Sequence, residues 1–345
     1  MFYTIKAGMF HVEHACFCAF SWFHVEHHRQ IKIFSRYVLR GTFVTRHFLC
    51  STWNFFCEIP YAELDLHFIS CYNDDIRIFI AKIQKSKKAG EILAKIIAFA
   101  NQKGGVGKTT SAINIASALG IAGKCTLLID LDPQGNASSG VGVRKSTAKQ
   151  TVYDLLIGRC QADDVIMKTE YKNLSVIPSG MDLAAAELEL ADMENRHNRL
   201  REPIQKIIDD YDYIIIDCPP SLGMMTINAL SAANGVVVPM QCEYFSLEGL
   251  SQIMMTVKQV KKHYNPTLSL TGILITMYNG RLNLSIQVLE ELKKHYADKL
   301  FSTNITRNVR LSEAPSYGAP IHYYDKYAKG AEDYSKIAAE IMERI

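Results

Sequence analysis

The decapeptide "NQKGGVGKTT" at 101–110 gathers the groups needed to hold a polyphosphate. Gly104, Gly105 and Gly107 let the backbone curl closely round an anion with its N–H groups turned inward. Lys108 brings a positive charge to the outer phosphates, and the Thr109 hydroxyl suits Mg2+. Lys103 adds a second ammonium at the front of the same loop. Carboxylates follow in two later segments, Asp130 and Asp132 in "CTLLIDLDPQGNASSG" and Asp217 in "YDYIIIDCPPSLG". A phosphate cradle with acids nearby is chemistry for a nucleotide and a divalent cation; the alternative for Asp130 and Asp132 is the capping of strand ends.

Such a loop works only between a strand and a helix, and the sequence supplies both. "KIIAFA" at 95–100 is a short apolar run fit for a buried strand, and "SAINIASALGIAG" sets Ile113, Ile115, Ala116 and Leu119 at helical spacing. Further apolar runs at 125–130, 174–177, 213–217, 235–239 and 272–277 alternate with helical stretches. That order predicts an α/β fold of the P-loop NTPase type, a mainly parallel twisted sheet with helices on both faces. The site then lies at the carboxyl ends of the strands, where the loop and the "DCPP" segment emerge. "MDLAAAELELADM" at 181–193 reads as a helix of the outer layer or of a dimer contact.

Composition narrows the function classes. The chain has 345 residues and a net charge of +3, with no apolar run long enough to span a membrane. Residues 1–92 carry that whole excess, together with five of the nine cysteines, seven of the eleven histidines and both tryptophans. Residues 93–345 have equal numbers of basic and acidic side chains, so nucleic-acid binding there requires a local patch. Their four cysteines, at 125, 160, 218 and 242, are scattered, as in a reduced cytoplasmic protein.

Three more blocks, "QCEYFSLEGLSQ", "LITMYNGRLNLS" and "TRNVRLSEAPSYG", follow in order. With the two-lysine loop and the acidic segments they make the chain, from about Leu93 to its end, resemble the ParA/Soj partitioning ATPases. That resemblance implies ATP and Mg2+ as cofactors and an ATP-bound homodimer in which Lys103 reaches the partner's nucleotide. It implies Lys108 on the phosphates in cis and a cradle of Gly104, Gly105, Val106 and Gly107. Thr109 would sit on Mg2+, Thr110 near the α-phosphate, Asp132 at the attacking water, and Asp217 on Mg2+ through water. It implies non-specific binding of double-stranded DNA through Arg281 and Arg310, with Arg307, Lys258, Lys261 and Lys262 extending that face. Asn279 stands where related sequences usually carry Asp. The implied partner is a ParB-type centromere-binding protein, and the implied location is cytoplasmic and nucleoid-associated, with no membrane. A MinD-like, membrane-associated division ATPase shares the loop; its mark is a basic amphipathic C-terminal helix, whereas this chain ends in the acidic "AEDYSKIAAEIMERI". Metal-cluster relatives of the same loop need paired cysteines, and Cys218 has no evident partner.

The N-terminal segment reads differently. "FHVEH" occurs at 10–14 and again at 23–27. The family's palindromic DNA site, parS, resembles TGTTCCACGTGGAACA, one frame of which encodes Phe-His-Val-Glu-His. A second frame encodes Cys-Ser-Thr-Trp-Asn, and 50–54 read "CSTWN"; the third lies one base from "VLRGT" at 38–42. Selection on a protein motif does not make frame-shifted copies of itself. Residues 1–92 are therefore expected to be translated upstream DNA, disordered or no domain, with 93–345 as the ATPase domain. The alternatives are a His/Cys metal module and an accessory domain.

Overall fold

The computed structural model describes residues 94–144 and 148–345, and residues 37–40, 43–49 and 56–58 as strands. The chain divides into two compact units, 1–87 and 88–345. In the first, β1 (Tyr37–Arg40), β2 (Phe43–Leu49) and β3 (Phe56–Glu58) form an antiparallel meander, Tyr37 opposite Arg46 and His47 opposite Glu58. The pentapeptides at 10–14 and 23–27, "CSTWN" at 50–54 and the boundary at residue 93 lie outside the described residues.

The second unit is built on strands β4 (Lys95–Phe99), β5 (Thr126–Asp130), β6 (Met167–Lys168), β7 (Leu174–Ile177), β8 (Tyr213–Asp217), β9 (Gly235–Gln241) and β10 (Ser269–Thr276). Their order in the sheet is β10-β9-β4-β8-β5-β7-β6, parallel throughout except for β6, which pairs antiparallel with β7. The six apolar runs expected as strands are β4, β5 and β7 to β10. Around them run α1 (Lys108–Ile121), α2 (Asn136–Gly140), α3 (Val152–Ile157), α4 (Ala162–Val165), α5 (Leu183–Ala191) and α6 (Arg201–Ile207). Beyond these come α7 (Met224–Ala232), α8 (Ser246–His263), α9 (Asn283–Tyr296), α10 (Val309–Glu313), α11 (Ile321–Tyr324) and α12 (Lys329–Arg344).

Both faces of the sheet are covered, which is why its strands read as unbroken apolar runs rather than alternating ones. Along β4, Ile96 and Ala98 join a core roofed by α3 to α9, while Ile97 and Phe99 join one roofed by α1, α2 and α10 to α12. The "MDLAAAELELADM" helix, α5, is in the outer layer: Leu183, Ala186 and Leu190 are buried and Leu188 is exposed. α1 is buried on most of its circumference, so its polar groups need internal partners. Ser111 Oγ lies 3.1 Å from the Tyr334 hydroxyl of α12, and Asn114 Oδ1 accepts the Ile321 N–H at 2.7 Å. These bonds fix the helix that starts at the phosphate loop.

The far end of α1 is fixed by close approach. A Cβ at Gly120 would fall 2.3 Å from the backbone oxygen of Lys172. Alanine ordinarily gains about 1 kcal/mol over glycine inside a helix, but here the 171–173 turn would have to move. Gly120→Ala is expected to destabilise by about 1–3 kcal/mol, lowering the thermal midpoint by roughly 2–10 °C. A scanning calorimetry midpoint at or above that of the parent chain would contradict the packing described.

Candidate active site

Strand register brings the predicted residues to one edge. Phe99, the last residue of β4, lies opposite Asp217 of β8, and Asp217 lies opposite Asp130 of β5. The segment 101–107 leaves β4 at this point and turns into α1. Gly105 and Gly107 have φ of 72° and 81°, a region that admits glycine without strain, and Gly107 is the N-cap of α1. No backbone carbonyl among the described residues accepts the loop N–H groups of Gly104 to Gly107. With the first-turn N–H groups of α1 behind them, they form a concavity for an anion.

Three carbonyls of the same loop are held by side chains. Gln241 Nε2 donates to Gly105 O at 2.9 Å, Thr276 Oγ1 to Val106 O at 2.8 Å, and Lys108 Nζ to Lys103 O at 2.9 Å. Asn101 bridges underneath, donating to Pro239 O at 2.8 Å and accepting the Lys103 N–H at 3.1 Å. Sequence reasoning missed Gln241, Thr276 and Asn101. The only local signal for Gln241 and Thr276 is that each ends a strand, and Asn101 opens the loop itself.

The acids divide into two kinds. Asp130 is fully buried and satisfied: it accepts from Ser138 N at 2.8 Å, Ser138 Oγ at 2.7 Å and Asp132 N at 3.1 Å. Burial pushes its carboxyl up to about 6 against those bonds. It is the capping residue that the alternative reading describes, tying β5 to α2. Asp132 is only half-buried, and Oδ1 accepts the Gln134 N–H at 2.9 Å. Asp217 is the exception: it is fully buried and neither carboxylate oxygen has a partner. Burial first, then the Asp130 charge, drive its carboxyl well above the usual range. Thr109 and Lys108 work against that shift from nearby, but neither comes into hydrogen-bonding geometry with the carboxylate. Lys108 is itself buried, which lowers its pKa, while Asp217, Cys218 and Asp132 act to raise it.

A buried carboxylate with two bare oxygens beside a hydroxyl fits a hard divalent cation. Among the described residues no group of three or more His, Cys, Asp or Glu side chains stands ready as a metal site. A cation here would take further oxygens from its ligand and from water. Burial pushes the Cys218 thiol far up, so it is inert.

Lys103 pairs with Glu243 at the surface, on the segment between β9 and α8. Arg281 and Arg310 follow two segments that meet beyond the β10 edge of the sheet. Past β10, Tyr278 pairs with Thr306, its N–H donating to Ile305 O at 2.9 Å. Arg281 follows the first of these bridged segments and Arg310 the second. The Asn279 side chain accepts the Arg281 N–H at 3.1 Å, a bond its amide oxygen makes as a carboxylate would. Arg310 donates to Glu313 at 3.0 Å and lies 3.6 Å from Asp325. Lys258, Lys261 and Lys262 are exposed along α8.

A family model described as an AAA domain matches residues 94–270. The chain is 53% identical over 249 residues to the sporulation initiation inhibitor protein Soj of Bacillus subtilis, a match covering 72% of this chain and 98% of that protein. It is 50% identical over 252 residues to the chromosome-partitioning ATPase Soj of Treponema pallidum, covering 73% and 98%. Among solved structures it is similar to the cobyrinic acid a,c-diamide synthase of Mycobacterium smegmatis with bound ATP analogue and magnesium. There the identity is 34%, the TM-score 0.65, and the coverage 72% of this chain and 93% of that one.

Proposed function

The chain belongs to the Soj/ParA family of chromosome-partitioning ATPases, and on that premise we propose a nucleotide-switched DNA-binding cycle for it. ATP sits in the loop between β4 and α1. The N–H groups of Gly104, Gly105, Val106 and Gly107 and the Lys108 ammonium take its phosphates, with Thr110 at the α-phosphate. The Thr109 hydroxyl and, through water, the Asp217 carboxylate hold Mg2+, which when bound spreads the charge of the phosphate oxygens. Asp132 orients the attacking water. In the ATP-bound homodimer Lys103 leaves Glu243 and reaches the partner's nucleotide, stabilising charge as an arginine finger does. An exposed ion pair such as Lys103 with Glu243 is worth about 0–1 kcal/mol, so opening it is no obstacle.

One observation carries this reading. Asp217 is a buried acid without a donor, and Lys108 is a buried ammonium whose acceptor is a loop carbonyl. The first is stabilised by a cation and the second by an anion, and magnesium nucleotide supplies both.

Arg281 and Arg310 of the closed dimer take phosphates of double-stranded DNA without reading its sequence, and a ParB-type partner speeds hydrolysis and release. The protein then works in the cytoplasm on the nucleoid. The reading favours DNA over a membrane surface because α12 packs its apolar side, Ala331, Tyr334, Ile337 and Ile341, on the core. No helix among the described residues is long and apolar enough to cross a membrane.

Equilibrium DNA binding with ATP, with ADP and without nucleotide tests the cycle. ATP is expected to tighten binding at least about tenfold, a coupling of 1.4 kcal/mol, with affinity falling steeply as salt rises. Arg310→Ala should weaken binding alike on unrelated sequences and reduce the salt slope by about one for each phosphate that the side chain neutralises. Equal affinity in all three nucleotide states would remove the switch.

A further inference from the structure

We propose that Thr276 and Gln241 are positioning residues for the nucleotide, holding two consecutive peptides of the phosphate loop so that their N–H groups face the phosphates. The inference rests on the reading of this loop as the ATP site.

The geometry is a clamp. Thr276 ends β10 and Gln241 ends β9, and the two lie opposite each other in the parallel register. Each reaches one carbonyl of the loop: Gln241 takes that of Gly105 at 2.9 Å and Thr276 that of Val106 at 2.8 Å. In a trans peptide the C=O of one residue and the N–H of the next point in opposite directions. Anchoring Gly105 O therefore aims the Val106 N–H away from β9 and β10, and anchoring Val106 O does the same for Gly107. Away from β9 and β10 is toward β8, whose last residue is Asp217.

The two anchors differ from the third. Lys103 O is held by Lys108, a group that must turn to the phosphates when they arrive. Thr276 and Gln241 have no such duty, so their hold does not depend on the ligand. Thr276 is 2% exposed, and its hydroxyl has a second acceptor, Met240 O, at the longer distance of 3.2 Å. Gln241 is partly exposed and has a second N–H, which meets Met277 Sδ at 3.0 Å. Without the clamp, a loop containing Gly105 and Gly107 at positive φ has the freedom to flip its peptides.

The test uses the full chain as wild type and as Thr276→Val, Thr276→Ser, Gln241→Leu and Lys108→Ala. Affinity is read by titration with a fluorescent ATP analogue and Mg2+, alongside kcat, KM and the thermal midpoint without nucleotide. Loss of preorganisation weakens ground state and transition state alike, so KM should rise with kcat nearly unchanged. Thr276→Val should raise Kd and KM about tenfold, the scale of one buried hydrogen bond removed, and Gln241→Leu by about threefold, its carbonyl being nearer solvent. Serine at 276 keeps the donor and should return both to within about twofold of wild type. Wild-type affinity in both Thr276→Val and Gln241→Leu overturns the proposal, as does a serine variant as weak as the valine one. Should the valine variant fail to fold, Gln241→Leu decides alone. If wild type binds the analogue no better than Lys108→Ala, the ATP-site reading fails first and takes the clamp with it.

Discussion

Asp132→Ala should bind ATP about as tightly as the parent chain and hydrolyse it about 10²–10⁴ times more slowly. The family resemblance implies this role, and a comparison of the two acids that stand two residues apart in the sequence supports it. Asp130 has no exposure and three donors, so its oxygens are committed to α2 and to the turn that follows β5. Asp132 is half-buried, and one backbone N–H, from Gln134, aims its carboxylate and leaves the second oxygen free among the described residues. Its charge is also felt by Lys108, which sets it within reach of the phosphate end of the site. A water held by that oxygen is polarised and oriented without the acid touching the nucleotide. The rate should therefore fall while affinity stays. Phosphate release under saturating ATP measures the first and analogue titration the second. A parallel loss of affinity would move Asp132 from the water to the nucleotide. Asp130→Ala should behave in the opposite sense, losing stability by removing the acceptor of three donors.

The loop from Lys103 to Thr110 was legible because its chemistry is contiguous: glycine, lysine and threonine stand beside one another and between a strand and a helix. The parallel strands were legible for a related reason, since burial on both faces leaves runs such as "YIIID" with no polar interruption. The two-residue β6 was not, because a strand that short has no period. Nor were Gln241 and Thr276, which meet the loop across 136 and 170 positions of sequence. No local pattern encodes such a meeting; it follows from β9 and β10 standing on the side of β4 away from β8. The separation of Asp130 from Asp132 came from the family resemblance rather than from a local pattern, because the partner that occupies Asp130 is Ser138, within α2. Asn279 shows the reverse. Its amide departs from the Asp that related sequences usually carry, yet the bond it makes to the Arg281 N–H needs only an acceptor.

Lys108→Ala should weaken ATP binding about 100-fold or more while leaving the fold in place. Hydrogen bonds to charged groups are worth about 1.5–3 kcal/mol each, and an ammonium between two phosphates makes at least two. The electrostatics amplify this loss. Lys108 lies within electrostatic reach of Asp132 and Asp217, and without it their negative charge opposes the triphosphate with less compensation. The fold should tolerate the change, because burial already opposes the charge on Lys108 and holds the Asp217 carboxyl well above its usual range. A group that keeps its proton easily loses little when its neighbouring cation goes. Thermal unfolding with and without magnesium nucleotide separates these effects. At a ligand concentration 100 times the parent Kd, binding adds about 2.7 kcal/mol of stability; a variant binding 100-fold more weakly gains only about 0.4 kcal/mol. The midpoint without nucleotide should therefore be nearly shared, and the nucleotide-induced rise should all but vanish in the variant. DNA affinity must follow the same pattern. If the arginine edge is assembled by ATP, Lys108→Ala in saturating ATP should bind DNA as the parent does with none, although both arginines are intact. A variant that lost nucleotide but kept the ATP-level grip on DNA would show that the basic edge needs no switch.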